Sequence, residues 1–228
     1  MKKKYPFTLL ILLFIFFESY SQDEKQHNPI SEELLNDFVE KFDQHIYEVL
    51  PDYSLSDVDG NIVKLSDFKQ KVILLEFWAT WCAPCVSGIP VQKEIMERLE
   101  NRKIQDFIWV NVSVDSDSTA WKKMVESKAI PGINLICELD IAEKIYNIEH
   151  YPTVVLINNK REIIGFDIAN PGWGRGPTIE FLIIQGLNGV KSSDAFRKII
   201  VPGKAEVGKE FKEWSDNYFG KDYIHSSN

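Results

Sequence analysis

The sequence predicts an α/β fold in which a central mixed sheet is flanked by helices. Three observations predict it. The run Val72-Ile73-Leu74-Leu75-Glu76-Phe77-Trp78 is apolar and of strand length, and it leads through Trp81-Cys82-Ala83-Pro84-Cys85 into a segment with helical spacing, Ile89, Ile95, Met96 and Leu99. A second run, Phe107 to Val114, is apolar enough to be a strand buried on both faces, as parallel strands are. Further on, Val154 to Ile157 and Glu162 to Phe166 read as two strands around the turn Asn158-Asn159-Lys160, and Pro177 opens a final helix through Ile183 and Leu187.

At 228 residues and 44% hydrophobic content, the chain is one domain of ordinary size with extensions. A formal charge of −8 argues against nucleic acid as a partner and suits a soluble exported protein. Lys2, Lys3 and Lys4 form a positive segment ahead of the apolar stretch Phe7 to Phe17, which is shorter than the ~20 residues of a membrane span. Ser19-Tyr20-Ser21 supplies small residues at alternating positions before Gln22, a cleavage pattern. Residues 1–21 are therefore expected to be a signal peptide, and the mature chain periplasmic or secreted. Contact with a membrane is expected only if this segment is retained as an anchor.

Residues 22–47 read as a polar linker, with Asn28-Pro29, and an N-terminal helix. Ser31 is its N-cap, and Leu34, Leu35, Phe38, Phe42, Ile46 and Val49 follow at roughly helical spacing. The main domain spans 48–188. Within it, Val58 to Ile62 predicts a hairpin turning at Asp59-Gly60, and Ser66 begins a short turn before the central strand. A helix to about Glu100 follows the cysteines. One residue of the loop 115–118 caps a helix over 120–127, Leu135-Ile136-Cys137 is a short strand, and 141–146 is a helix. Residues 189–228 form a helical extension in which Val207, Phe211, Trp214 and Tyr218 lie on one helix face. The breaker-rich loop 170–177 carries Trp173 and has no assigned role.

The chain has three cysteines, Cys82, Cys85 and Cys137. A disulfide scaffold would use more of them at wider spacing, and zinc would need a second Cys or His pair, which is absent. No metal and no organic cofactor is expected. Two cysteines three apart at the start of a helix suit redox exchange. Unpaired N–H groups and the helix dipole stabilise a thiolate there, and the second thiol lies within reach of the first. Pro84 fits an early helical position, where a missing N–H costs little. An inert structural disulfide is the alternative. Cys137 reads as a buried free thiol acting as a small hydrophobe, with a regulatory disulfide as the alternative. Glu76, on an apolar strand behind the pair, should have its pKa raised by desolvation. Asn111-Val112-Ser113 matches a glycosylation triplet but falls within a buried strand.

The run Leu75 to Cys85 resembles the thioredoxin active-site strand and motif. The lead-in from Leu50 through Asp59-Gly60 to Leu65-Ser66-Asp67-Phe68 is similar to that of secreted TlpA/ResA-like thiol-disulfide oxidoreductases. The resemblance covers roughly residues 48 to 187. It implies a thioredoxin-like fold with an inserted helical segment between 118 and 147, to which the residue patterns add the N-terminal β-hairpin and the helical extensions at both ends, the extensions lying outside the resemblance. It implies Cys82 as nucleophile, Cys85 as resolving thiol, and Glu76 as the acid that accepts the Cys85 proton. It implies a cis bond before Pro152, with the backbone of Tyr151 pairing to a substrate strand. Trp81, Ala83 and Pro84 then form the substrate-facing rim; the four histidines are scattered and have no assigned role, with tuning of the thiolate by His150, near the expected cis loop, as the minor alternative. The implied partners are disulfide-containing proteins and a redox partner that supplies electrons.

Members of this group that act in cytochrome c maturation often carry an acid shortly after the second cysteine. Gly88 stands there in this chain, which argues against that narrow assignment. The expected direction is reduction, with a disulfide-forming oxidase or a thioredoxin-fold interaction protein as alternatives. Peroxiredoxins place a threonine three residues before the nucleophile, whereas Thr80 is two before Cys82.

Overall fold

The computed structural model describes residues 30–168, 176–204 and 206–221. The expected signal peptide, the start of the linker and most of the 170–177 loop lie outside these residues. Two compact units are present, one of Phe38–Phe196 and one built from the described parts of 1–37 and 197–228.

The larger unit is organised on one seven-stranded mixed sheet. In chain order its strands are β1 (Leu55–Asp57), β2 (Ile62–Val63), β3 (Val72–Trp78), β4 (Phe107–Ser113), β5 (Ile133–Ile136), β6 (Thr153–Ile157) and β7 (Ile163–Gly165). Across the sheet the order is β2-β1-β5-β4-β3-β6-β7. β3, β4 and β5 run parallel, while β6, β7 and the β1–β2 hairpin are antiparallel to their neighbours. The hairpin turns where expected. The Asp57 carboxylate accepts the backbone N–H groups of Asp59 and Asn61, and Gly60 takes a positive φ of 84° that a side chain would resist.

Helix α1 spans Glu32–Glu40, and Ser31 caps it by accepting the Leu34 N–H at 3.1 Å. The expected continuation to Val49 does not form. A short 3-10 turn over Lys41–Asp43 ends the helix, and His45 and Tyr47 take left-handed φ values of 60° and 63°. The backbone of this segment pairs with β7 instead. Tyr47 N–H donates to the Ile163 carbonyl, Ile163 N–H to Glu48 and Phe166 N–H to Phe42. The spacing of Ile46 and Val49 imitates a helix, but the sheet edge engages the segment's backbone, one N–H donating and two carbonyls accepting.

Helix α2 (Ala83–Asn101) follows β3 directly, α3 (Ser118–Lys128) is capped by Asp117, and α4 is Leu139–Ile145. Helix α5 (Pro177–Leu187) crosses β6 closely enough that a Cβ at Gly186 would stand 2.8 Å from Leu156. The Glu180 carboxylate of α5 is fully buried and pairs with Arg98 of α2 at 2.9 Å, tying these two helices together. Helix α6 (Ser192–Arg197) was not foreseen as a separate element. Lys191 and Ser193 at its start both donate to Asp43.

In the smaller unit, Gly203 N–H donates to the Ile30 carbonyl and Arg197 donates to Asn36. Helix α7 is Lys209–Phe219, so Val207 lies before it, in a bridge with Ile200, and not on its face. Gly208, just before α7, is extended, its N–H donating to the Ile199 carbonyl at 2.8 Å, and the close approach of the Lys198 carbonyl leaves no room there for a side chain. The ring of Trp214 stacks on Tyr218 at 4.7 Å and on Phe211 at 5.7 Å. Among the described residues, no helix is long and apolar enough to cross a membrane.

Candidate active site

The parallel ladder ends as Val114 N–H donates to Trp78, and the chain turns, with Cys82 N–H donating to Ala79. Cys82 is the N-cap of α2, in extended backbone geometry, and its Sγ accepts the Cys85 N–H at 3.3 Å. Cys82 and Cys85 form a disulfide. Both are buried, at 5% and 3% exposure, whereas Ala83 and Pro84 between them are exposed. Pro84 occupies the first turn, where it forfeits no helical bond.

Glu76 lies behind the pair. Parallel register sets it beside Asn111, and α2 covers both. A cavity of about 10 Å³ is lined by Glu76, Cys85, Gly88, Gln92, Asn111 and Ile130, with Trp78 and Ile89. That is about the room one water needs. Gly88, three residues beyond Cys85, brings no side chain into it. Burial pushes the Glu76 carboxyl up to about 7. Asn111 and Gln92, both buried, are satisfied by each other and their neighbours. Gln92 Nε2 donates to Asn111 Oδ1 at 2.9 Å, and Asn111 Nδ2 donates to the Pro131 carbonyl and to Asn134. Asn111 is thus an internal strut of the sheet, which removes the glycosylation reading.

The Tyr151–Pro152 bond is cis. Thr153 Oγ1 donates to the His150 carbonyl at 2.6 Å, and His150 Nε2 pairs with Asp167 at 3.0 Å, an interaction that raises the imidazole pKa. Trp81 is 64% exposed, and its ring meets that of Tyr151 edge-on at 5.8 Å. The dithiol turn and the cis-proline loop therefore touch through these two rings. Cys137 is free and buried, and burial pushes its thiol up to about 12.

Sequence reasoning missed one part of this site. Asp115, 7% exposed, sits just past β4 and grips the turn before Cys82. Its Oδ1 accepts the Thr80 hydroxyl at 2.7 Å, and its Oδ2 accepts the Thr80 N–H at 2.9 Å and the Ser113 hydroxyl at 2.7 Å. The available signal was polar residues at a period of two, Asn111, Ser113 and Asp115, at the end of an otherwise apolar run.

A mixed sheet with a Cys-x-x-Cys pair opening a helix, against a cis-proline loop, defines a thiol-disulfide oxidoreductase of thioredoxin-like fold. The chain belongs to the Redoxin family, whose profile matches residues 47–171. It is 28% identical over 128 residues to the thiol-disulfide oxidoreductase ResA of Geobacillus kaustophilus, covering 56% of this chain and 72% of that protein. Against ResA of Bacillus anthracis the identity is 26% over 132 residues, with the same coverage. Among solved structures, the thioredoxin domain of a thiol-disulfide oxidoreductase from Bacteroides vulgatus aligns with a TM-score of 0.51 at 24% identity. That alignment covers 60% of this chain and 97% of the domain.

Proposed function

We propose that this protein is exported and reduces disulfides in other proteins, with Cys82 as nucleophile and Cys85 as resolving thiol. The Cys82 thiolate attacks one sulfur of the substrate disulfide. That S–S bond breaks, and the other substrate sulfur leaves as a thiolate that takes up a proton. Cys85 then loses its proton and attacks Cys82 Sγ, which releases the second substrate thiol and closes the Cys82–Cys85 disulfide. Two electrons pass from the pair to the substrate, and a dithiol redox partner returns them.

Glu76 accepts the Cys85 proton, directly or through one water in the cavity between them. A carboxyl raised to about 7 suits that exchange near neutral pH. The rings of Trp81 and Tyr151, with Ala83 and Pro84, form the surface a substrate segment meets, and the backbone beside Pro152 offers it strand-like pairing. The observation that carries this reading is the pair at the start of α2 with a buried acid and a water-sized cavity behind its second sulfur. The Ala83-Pro84 dipeptide and the TlpA-like surroundings support reduction as the direction. Export is supported by Lys2 to Lys4 ahead of the apolar stretch and by the small residues before Gln22.

Equilibration against glutathione and dithiothreitol buffers tests the direction. A potential near −270 mV is the expected result, and one near −120 mV would make the protein a disulfide donor. Cell fractionation tests export. Exported chains are expected to begin at Gln22, and full-length chains confined to the cytosol would contradict it.

A further inference from the structure

We propose that Asp115 is a positioning residue for the dithiol, holding the turn that fixes where Cys82 Sγ and the Trp81 ring stand. This rests on Cys82 being the nucleophile. Thr80 is one residue from Trp81 and two from Cys82. Its N–H and its hydroxyl both end on the Asp115 carboxylate, the N–H at 2.9 Å from Oδ2 and 3.2 Å from Oδ1.

The carboxylate is itself fixed. Ser113 Oγ donates to Oδ2 at 2.7 Å and accepts the Asp115 N–H at 3.1 Å. Ser113 is fully buried in β4, where its backbone registers with Trp78 on one side and Ile136 on the other. The clamp thus connects the central strand of the sheet to the turn preceding the nucleophile. Hydrogen bonds to a charged acceptor are the stronger kind, and losing a buried acceptor leaves its donors unpaired. Neither oxygen is directed to a cation: no ion pair to Asp115 occurs among the described residues. Activation of the thiolate is left to the helix start, and the contribution of Asp115 is geometric. A misplacement of about 1 Å at a reacting group can cost about a hundredfold in rate.

The test uses the full chain, reduced, in four forms: wild type, Asp115→Ala, Thr80→Val and Thr80→Ser. Two quantities are read: the pH–rate profile of iodoacetamide alkylation mapped to Cys82 by mass spectrometry, and kcat/KM for reduction of insulin. Circular dichroism reports folding separately. Asp115→Ala is expected to lower kcat/KM about tenfold to a hundredfold and to displace the alkylation midpoint from its wild-type value. Thr80→Val is expected to lose about threefold to tenfold, and Thr80→Ser to stay within twofold of wild type. If Asp115→Ala does not fold, Thr80→Val decides. Folded Thr80→Val and Asp115→Ala proteins that both stay within twofold in rate and keep the midpoint overturn the inference. First alkylation at Cys85 in the wild type would overturn the functional reading itself, a distinct result.

Discussion

The two faces of the central sheet differ in what they bury. On one face Ile73, Leu75 and Phe77 of β3 alternate in register with Val110 and Val112 of β4, and every one is at most 1% exposed. On the other face the same strands bring Glu76, Asn111 and Ser113, also buried but polar, beside the apolar Leu74, Trp78 and Trp109. Burying polar groups is costly unless they are paired. Here they sit where α2 lies over the sheet and where Cys85 and the turn before Cys82 need them. The apolar face packs the fold, and the polar face is the one we propose positions the dithiol and handles its protons.

The comparison breaks most sharply at the cysteines. Cys82→Ser is expected to reduce insulin reduction to background while leaving the thermal melt close to that of the reduced wild type. Full activity in that variant would refute the assignment. On the apolar face, Leu75→Ala should lower stability by about 2–5 kcal/mol, read from urea melts. The alkylation rate of Cys82 per folded molecule should stay unchanged, and a large change in that rate would blur the division between faces.

On the polar face, Glu76→Gln should do the reverse. Resolution of the mixed disulfide at pH 7 should slow at least tenfold, as loss of a positioned base does. Stability should rise, in a pH-dependent way. The wild-type carboxyl is raised from 4.5 to about 7 by burial, so its ionised form is penalised only in the folded state. That penalty is absent below about pH 4.5, grows as the pH rises and is complete above about 7. It amounts to about 3 kcal/mol at 1.36 kcal/mol per unit. Paired melts at pH 4 and pH 8 read it as the difference between variant and wild type, and equal gaps at both pH values would contradict it. The smallest effect is expected at the rim. Trp81→Ala should raise KM severalfold and change stability by no more than about 0.5 kcal/mol, since the ring is 64% exposed.

What was legible in the sequence follows the same division. β3, β4 and the helices opened by Ala83 and Pro177 were readable because long apolar runs and early prolines leave few alternatives. The cysteine pair, Glu76 and Pro152 were readable through their motif. The segment 41–49 was misread because its side-chain spacing is helical while its backbone serves the edge of β7, and only tertiary structure reveals that need. Val207 was placed on a helix that begins only after the extended Gly208, because its own backbone bridges to Ile200. Gln92 escaped because a lone polar residue in a helix carries no sign of the buried partner it meets, here Asn111, while Asp115 was signalled only by its place in the polar alternation with Asn111 and Ser113, which does not name Thr80 as its partner. Asn111 was visible only as the first residue of a chance triplet.

The most direct test of the central claim is to trap the mixed disulfide with Cys85→Ser. With the resolving thiol removed, the full chain incubated with a disulfide-bonded protein is expected to accumulate a covalent adduct. Peptide mapping should place that adduct on Cys82, and dithiothreitol should release it. Absence of an adduct, or an adduct on the buried Cys137, would contradict dithiol exchange at this site.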